Sequence, residues 1–174
     1  MTLRVVANAG PLMVFSKLNL LPLMKELYGQ VDFPYSVYQE IVIAGIHRGF
    51  LDAHTLNLFL TENQWKPTRI AEIPADLQAV NLDRGEKEAI ALALLNNALL
   101  LIDEEQARDF ARQKGLATRG SLGILIEAFR NKLINERQLR FYFKQIGERR
   151  DIWVSPNLCT RLLEKLLKPD DLIK

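Results

Sequence analysis

Four polar residues in separate parts of the chain have side chains that suit a hard metal ion. Asp103 directly follows the apolar run at 98–102, and Asn8 follows a shorter apolar run near the start of the chain. Glu40 and Glu86 lie in segments whose apolar residues have helical spacing. Hard cations such as Mg²⁺ prefer oxygen ligands, commonly one or two carboxylates together with water. A metal held in this way activates water for attack on a phosphodiester and stabilises the negative charge that develops.

Glu40, Glu86 and Glu88 also have ordinary structural explanations. Glu40 lies on the apolar stripe between Val37 and Ala44, so we expect it to face the protein and to need a cation or a hydrogen-bond partner. Pairing with an arginine, or a place at the edge of the stripe, would explain it equally well. Glu86 and Glu88 begin an apolar helix, where an acid stabilises the helix dipole without any further role.

Asp103 has a structural alternative as the N-cap of the helix that follows it. Glu104 and Glu105 fit the first turn of that same helix. The combination is more informative than any one residue, because Asn8, Glu40, Glu86 and Asp103 come from four different elements that can meet at one crevice. The sequence therefore indicates a candidate site for Mg²⁺ or Mn²⁺.

No other catalytic pattern competes with this set of oxygen ligands. The chain has no Gly-x-Ser-x-Gly, Gly-x-Gly-x-x-Gly or Walker motif. Its one cysteine, Cys159, has no histidine near it in sequence and allows no intrachain disulfide. With two histidines and one cysteine, a zinc site is not expected.

Short apolar runs that alternate with helical patterns set the expected architecture. The runs predict strands at 3–7, 31–33, 98–102 and 116–118, with an uncertain short strand near Trp65 that Pro67 keeps from the centre of a sheet. The helical patterns predict helices at 12–27, 34–44, 47–61, 83–97, 104–114, 121–132, 135–148 and 157–168.

This alternation predicts an α/β fold with a parallel sheet and right-handed crossovers. Ligands of such sheets bind beyond the carboxyl ends of the strands, where Asn8 and Asp103 are placed. We expect a single domain over residues 1–174, with a core at about 3–135 and C-terminal helices at 135–168. No apolar run approaches the length of a membrane span, no signal peptide is recognisable, and a cytoplasmic protein is expected.

Five strings, in this order, carry a family resemblance: VANAGPL at 6–12, PYSVYQE at 34–40, LDRGEKEAIALA at 82–93, LIDEEQAR at 101–108 and GLATRGSLG at 115–123. Together they resemble the DUF3368 group of the PIN-domain superfamily, close to the VapC-like toxins. The resemblance covers about residues 3–135, and the tail adds little to it.

The resemblance implies a PIN-like three-layer fold, in which a short central parallel sheet of about four strands is flanked by helices. It also implies an Mg²⁺- or Mn²⁺-dependent endoribonuclease, a hydrolase that is often the toxin of a toxin–antitoxin pair. The family's acidic quartet falls on position 8, Glu40, Glu86 and Asp103. Ser121 matches a small hydroxyl residue near the site, and Glu88 is an alternative to Glu86.

Asn8 departs from the family pattern, because a typical PIN enzyme has Asp at this position. A carboxamide ligates through its oxygen but adds no negative charge, so the cation site is expected to be weaker. The second functional hypothesis follows from this residue: a catalytically degenerate PIN module that binds RNA or a protein partner without cleaving it.

Charge and apolar surface indicate the partners. Residues 1–103 hold 8 Lys and Arg against 11 Asp and Glu, whereas residues 104–174 hold 15 against 10. A basic half suits RNA, with Arg108, Arg112 and Arg119 as candidate phosphate contacts, although a solvated helical surface would look the same. The resemblance implies a homodimer and a small antitoxin protein as partner. Indirect support for the dimer comes from apolar residues that one small domain would leave partly uncovered: Leu56, Leu58, Phe59 and Leu60.

Overall fold

The computed structural model of the chain describes residues 3–167 and contains five short strands. They are β1 (Val5–Ala7), β2 (Phe33–Pro34), β3 (Pro67–Thr68), β4 (Leu99–Leu101) and β5 (Thr118–Arg119). β4 lies between β1 and β5 in a three-stranded parallel sheet, and β2 pairs with β3 in a second parallel sheet. A bridge from Val6 to Asp32 places the segment before β2 beside the free edge of β1. The predicted parallel α/β arrangement is confirmed.

Helices connect and cover these strands. They are α1 (Ala9–Lys17), α2 (Leu21–Tyr28), α3 (Tyr35–Tyr38), a π-helical turn (Gln39–Ile43), α4 (Ala44–His47), α5 (Leu51–Glu62), α6 (Ala75–Gln78), α7 (Arg84–Asn96), α8 (Glu105–Gln113), α9 (Ser121–Arg130), α10 (Glu136–Glu148) and α11 (Pro156–Leu166). Most of the predicted helices occur within a few residues of their expected bounds.

Helix α7 is the central helix of the fold because almost every side of it is buried. Its side chains from Ala89 to Ala93 are at most 8% exposed, and they pack with the apolar residues of β1 and β4. A capping box between Asp83 and Glu86 begins the helix, and Asn97 in the left-handed conformation ends it. The sequence predicted this deep packing from the apolar composition of the segment.

The single helix predicted from residue 12 to residue 27 is wrong, because α1 and α2 are separate. The chain leaves α1 at Leu18, and Asn19 adopts a φ of 55°, a left-handed conformation that asparagine tolerates better than most residues. Pro22 then lies in the first turn of α2, where its missing N–H costs nothing. The short helix α6 was not predicted, and β3 begins two residues after Trp65, at Pro67.

The chain divides into two compact units, of which the structure describes residues 3–121 and 122–167. All four candidate ligands, Asn8, Glu40, Glu86 and Asp103, lie in the first unit. In the second, α10 and α11 pack against each other. The expectation of one domain over residues 1–174 stays a prediction. No helix among the described residues is both long and apolar enough to span a membrane.

The four apolar residues of α5 that were expected to be partly uncovered are mostly covered by the fold. Leu56 and Leu60 are 1% and 3% exposed, so the fold itself covers them. They lie four residues apart on the inner side of the helix, whereas Leu58 lies on the outer side and is exposed. Phe59 packs its ring edge against the buried Trp65. Only Leu58 of the four remains as clearly exposed apolar surface.

Candidate metal centre

Asn8 lies at the end of β1, where the chain turns into α1. Its backbone N–H donates to Leu101 O at 2.9 Å, which fixes the residue beside the end of β4. The residue occupies the N-cap position of α1, but its side chain does not cap the helix. Instead, Asn8 Oδ1 lies 3.5 Å from where a Cβ on Gly85 would be, so it points toward the start of α7. Within residues 3–167, Asn8 Oδ1 is the buried side-chain oxygen that lacks a hydrogen-bond partner.

Glu86 lies in the first turn of α7 and is 8% exposed. Its Oε2 accepts the backbone N–H of Asp83 at 2.9 Å, and its own N–H donates to Asp83 Oδ1 at 2.7 Å. Burial raises the pKa of Glu86, the hydrogen bond from Asp83 opposes that shift, and the charges of Asp83, Glu104 and Glu40 raise the pKa further. This carboxylate is therefore surrounded by like charges.

Glu40 corrects a detail of the sequence interpretation, because it is solvent-exposed and does not face the core. It lies in the π-helical turn Gln39–Ile43, and its exposure agrees with the alternative of a place at the edge of the apolar stripe. Partial burial of its carboxyl raises the pKa of Glu40, and the charge of Asp83 raises it further. Glu40, Asp83 and Glu86 thus form one electrostatically coupled group, which we call the acidic cluster.

Glu88 has quite different surroundings, although it follows Glu86 by only two residues. It is 4% exposed and accepts hydrogen bonds from Ser36 Oγ at 2.5 Å and from Arg84 Nε at 2.8 Å. Because a hydroxyl and a guanidinium satisfy this carboxylate, its contacts are those of a structural residue that joins α3 to α7.

Asp103 lies at the end of β4 between two glycines. A Cβ on Gly10 would be 2.9 Å from Asp103 Oδ2, and one on Gly120 would be 3.0 Å from Asp103 Oδ1. Ser121 donates its N–H to Oδ1 at 2.6 Å and its hydroxyl to Oδ2 at 2.7 Å. Burial raises the pKa of Asp103, whereas the two Ser121 hydrogen bonds and the charge of Arg108 oppose that shift. We call Asp103, Gly10, Gly120 and Ser121 the Asp103 cradle.

The alternative interpretation of Asp103 as the N-cap of the following helix is wrong. Helix α8 is capped by Glu104, whose side chain accepts the N–H of Ala107 at 2.6 Å. Asp103 instead binds the first residue of α9, which is 18 positions later in the chain. Ser121, expected near the site by the family resemblance, is fully buried against the Asp103 carboxylate.

The three arginines expected to contact RNA all have partners within the fold. Arg108 donates to the backbone oxygen of Asp103 at 2.9 Å, and Arg112 donates to Thr118 Oγ1 at 2.9 Å. Arg119 approaches the hydroxyl of Tyr28 at 3.4 Å. Arg108 consequently helps to hold the end of β4, whatever further contacts it makes.

The donor set fits a hard divalent cation in chemical type. The amide oxygen of Asn8 has no hydrogen-bond partner, and burial raises the pKa values of Glu86 and Asp103. A bound cation would satisfy these oxygen atoms. Among residues 3–167, however, no three His, Cys, Asp or Glu side chains lie close enough together to hold a metal ion.

A family model decides the class of protein to which this site belongs. The model of DUF3368, described as a PIN domain, matches residues 4–168. The chain belongs to this PIN-domain family. No curated protein matches the chain. PIN domains have a nuclease-like fold, generally depend on divalent metals and act on RNA, so the family agrees with the oxygen-rich site described above.

Asp83 and Glu104 are the residues of this PIN domain that sequence reasoning did not include in the site. Both place a carboxylate near Glu86, and Asp83 also acts on Glu40. The Asp-x-x-Glu spacing of residues 83–86 is that of a capping box, which was the available signal for the contact between Asp83 and Glu86. No local pattern predicts that Glu104 lies near Glu86.

Proposed function

We propose that the protein is an Mg²⁺- or Mn²⁺-dependent endoribonuclease that uses Asn8, Glu40, Glu86 and Asp103. The unpartnered amide oxygen of Asn8 carries this proposal, because a buried polar atom without a partner is costly. A cation in this region would satisfy that oxygen and offset the repulsion within the acidic cluster. Membership of the PIN family supports RNA as the substrate.

In this proposal each residue has a distinct role. Glu40, Glu86 and Asp103 provide negative charge for the cation, and Asn8 provides a neutral oxygen. Asp103 remains able to act as a ligand because a carboxylate offers about four lone-pair sites, of which Ser121 uses two. A bound divalent cation supplies an activated water and stabilises charge on the scissile phosphate. Arg108, Arg112 and Arg119 contact phosphates and position the strand.

The proposal extends to the biological setting implied by the family. The protein is the toxin of a toxin–antitoxin pair, acts in the cytoplasm and forms a homodimer, and a small antitoxin protein covers the site. Leu58 is an exposed apolar residue of α5 that supports a protein contact.

A second candidate function is a PIN module that binds RNA or protein without cleavage. Two observations favour it: Asn8 stands where a PIN enzyme has an acid, and the described carboxylates do not form a group of three at metal-binding distance. The two candidates differ in whether the wild type binds a metal ion.

Replacement of Asn8 by Asp is the sharpest test between the two candidates. Wild type, Asn8→Asp and Glu86→Gln are titrated with Mn²⁺ by calorimetry, and cleavage of single-stranded RNA is followed with Mn²⁺ or EDTA. A ribonuclease binds Mn²⁺ as wild type, binds it more tightly as Asn8→Asp, and loses at least about 100-fold in cleavage as Glu86→Gln. Asn131→Asp, at an exposed position, controls for the added charge, and Glu26→Gln controls for the lost one.

The outcomes separate the two functions. If the wild type neither binds Mn²⁺ nor cleaves RNA but Asn8→Asp gains Mn²⁺ binding, the binding module is the correct function. Cleavage that persists undiminished in Glu86→Gln contradicts the proposed site.

A further inference from the structure

The outer face of α10 carries an aromatic side chain between two cations. The helix buries Leu139, Phe143 and Ile146, which are at most 1% exposed. On the opposite side, Arg137, Phe141 and Lys144 follow at helical spacing and are all exposed. Phe141 is 55% exposed, because its position in the helix lies opposite the buried side. A single exposed apolar residue needs no explanation by itself, so it is the cations beside Phe141 and a second exposed aromatic ring that indicate a ligand.

Trp153 is the second exposed aromatic residue of the same unit. It lies between α10 and α11 and is 96% exposed, whereas the chain's other tryptophan, Trp65, is 3% exposed. A tryptophan presents a large flat ring, and leaving all of it in water forgoes the burial that this residue normally gains. The two aromatic rings are thus available to a partner from outside.

The charge of the second unit indicates what kind of partner this is. Residues 122–167 hold 9 Lys and Arg against 5 Asp and Glu. Within the described part of the chain, the side chains of Arg137 and Arg150 form no ion pair or hydrogen bond, whereas Arg140 pairs with Glu136 at 2.7 Å. Lys144 is 3.8 Å from Glu148, a long and exposed contact that is easily exchanged. On the face that carries Phe141, Arg137 thus has no partner among the described residues and Lys144 is only weakly paired.

We propose that the second unit binds single-stranded RNA, with Phe141 and Trp153 as stacking surfaces for bases and with Arg137, Lys144 and Arg150 as contacts for phosphates. This inference rests on the proposed action on RNA and assigns that RNA a second set of contacts, made by residues other than those of the candidate metal centre. Exposed aromatic rings among basic side chains are the combination that holds single strands without sequence preference. A protein-docking surface would instead have a contiguous apolar centre depleted in lysine.

The test measures RNA binding without cleavage. Wild type is titrated in EDTA with a fluorescein-labelled oligouridine of about ten nucleotides, and anisotropy and tryptophan emission are both recorded. We expect Trp153 emission to be quenched when a base stacks on it. Phe141→Ser and Trp153→Ser should each weaken binding about fivefold or more, and Trp153→Phe should keep most of the affinity while losing the quenching. Arg137→Gln should lower the salt dependence of binding by about one phosphate contact.

Matched variants test RNA binding by the second unit independently of cleavage at the candidate metal centre. Leu95→Ser removes another exposed apolar residue, from α7, and should leave RNA affinity unchanged. If Glu86→Gln loses cleavage but binds RNA as wild type does, both proposals stand. If no variant or metal supports cleavage yet Phe141→Ser weakens binding, the RNA-binding surface stands and the nuclease does not.

Three results would overturn the RNA-binding surface. The first is an affinity for oligouridine that is unchanged in both Phe141→Ser and Trp153→Ser. The second is tryptophan emission that is unaffected at saturating RNA. The third is an absence of RNA binding combined with a change of molecular mass on light scattering in Phe141→Ser, which would identify the surface as a contact between protein chains.

Discussion

The acidic cluster and the Asp103 cradle both hold carboxylates whose pKa values burial raises, but their neighbours differ. In the cradle, Ser121 donates two hydrogen bonds to Asp103, and Arg108 lies nearby with opposite charge. In the acidic cluster, Glu86 accepts one backbone N–H, that of Asp83, and the nearby charges that act on it are those of other carboxylates. The comparison shows that carboxyls whose pKa values burial raises in the same direction are compensated to different degrees. The distinction lies in whether the fold itself supplies the compensating donors and charges.

The largest effect is expected from removing the carboxylate of the Asp103 cradle. Asp103→Ala leaves the buried N–H and hydroxyl of Ser121 without acceptors, which should lower the free energy of unfolding by about 2–3 kcal/mol. Urea denaturation measures the change, and Asp109→Ala, on the exposed side of α8, is the control. A loss no larger than that of the control would mean that the cradle does not stabilise the fold.

Crowding the cradle should have the next largest effect. Gly10→Ala places a Cβ 2.9 Å from Asp103 Oδ2 and 3.2 Å from its Cβ, so the fold should lose about 1–3 kcal/mol. Gly147→Ala is the matched change, because its Cβ would have no neighbour closer than 3.6 Å and alanine favours a helix. In thermal melts, we expect the melting temperature of Gly10→Ala to fall below that of wild type and the melting temperature of Gly147→Ala to rise above it. Equal melting temperatures for the two variants would contradict the close packing at Gly10.

Glu88, in α7, is a buried carboxylate for which the fold supplies hydrogen-bond donors, so it tests the same idea as the Asp103 cradle. Glu88→Gln keeps an acceptor for Ser36 but weakens the contact with Arg84, whose side chain is 76% exposed. We expect a loss of about 1 kcal/mol or less in urea denaturation. An increase in stability would mean that Glu88 is as poorly compensated as Glu86.

Glu86 should show the smallest effect and the opposite sign. Because its pKa is raised above 4.5 in the folded protein, the folded state binds the proton more tightly than the unfolded chain does. The stability that this group contributes is present below about pH 4.5 and is lost as the pH rises through the folded pKa. Glu86→Gln should therefore melt slightly above wild type at neutral pH in EDTA, and the difference should vanish near pH 4.

Added Mn²⁺ provides a further comparison of the melting temperatures of wild type and Glu86→Gln. If the proposed cation site exists, Mn²⁺ should raise the melting temperature of wild type more than that of Glu86→Gln, because the ion binds the folded state. An equal response of both proteins would separate Glu86 from the metal. A melting temperature of Glu86→Gln below wild type at neutral pH would instead show that the capping box outweighs the repulsion.

The sequence by itself determined which segments form the main strands and helices and where the acids lie along them. The continuous apolar run at 98–102 had to be a buried strand, and the carboxylate after it had to lie at the end of the sheet. The apolar residues of α7 likewise required a helix packed on more than one side. These features depend on composition and spacing over a few neighbouring residues, and the chain reveals them directly.

Only the tertiary structure decided how each acid is compensated. The donors to Asp103 come from Ser121, 18 residues later, and the donor Ser36 of Glu88 lies 52 residues earlier. Glu40 is exposed within the π-helical turn, and Asn8 Oδ1 lies beside Gly85 without a hydrogen-bond partner. Electrostatic and hydrogen-bond energies depend on distances between atoms that are far apart in sequence. For that reason the residue types indicated a cation site, whereas the balance of charges around each carboxylate became known only from the fold.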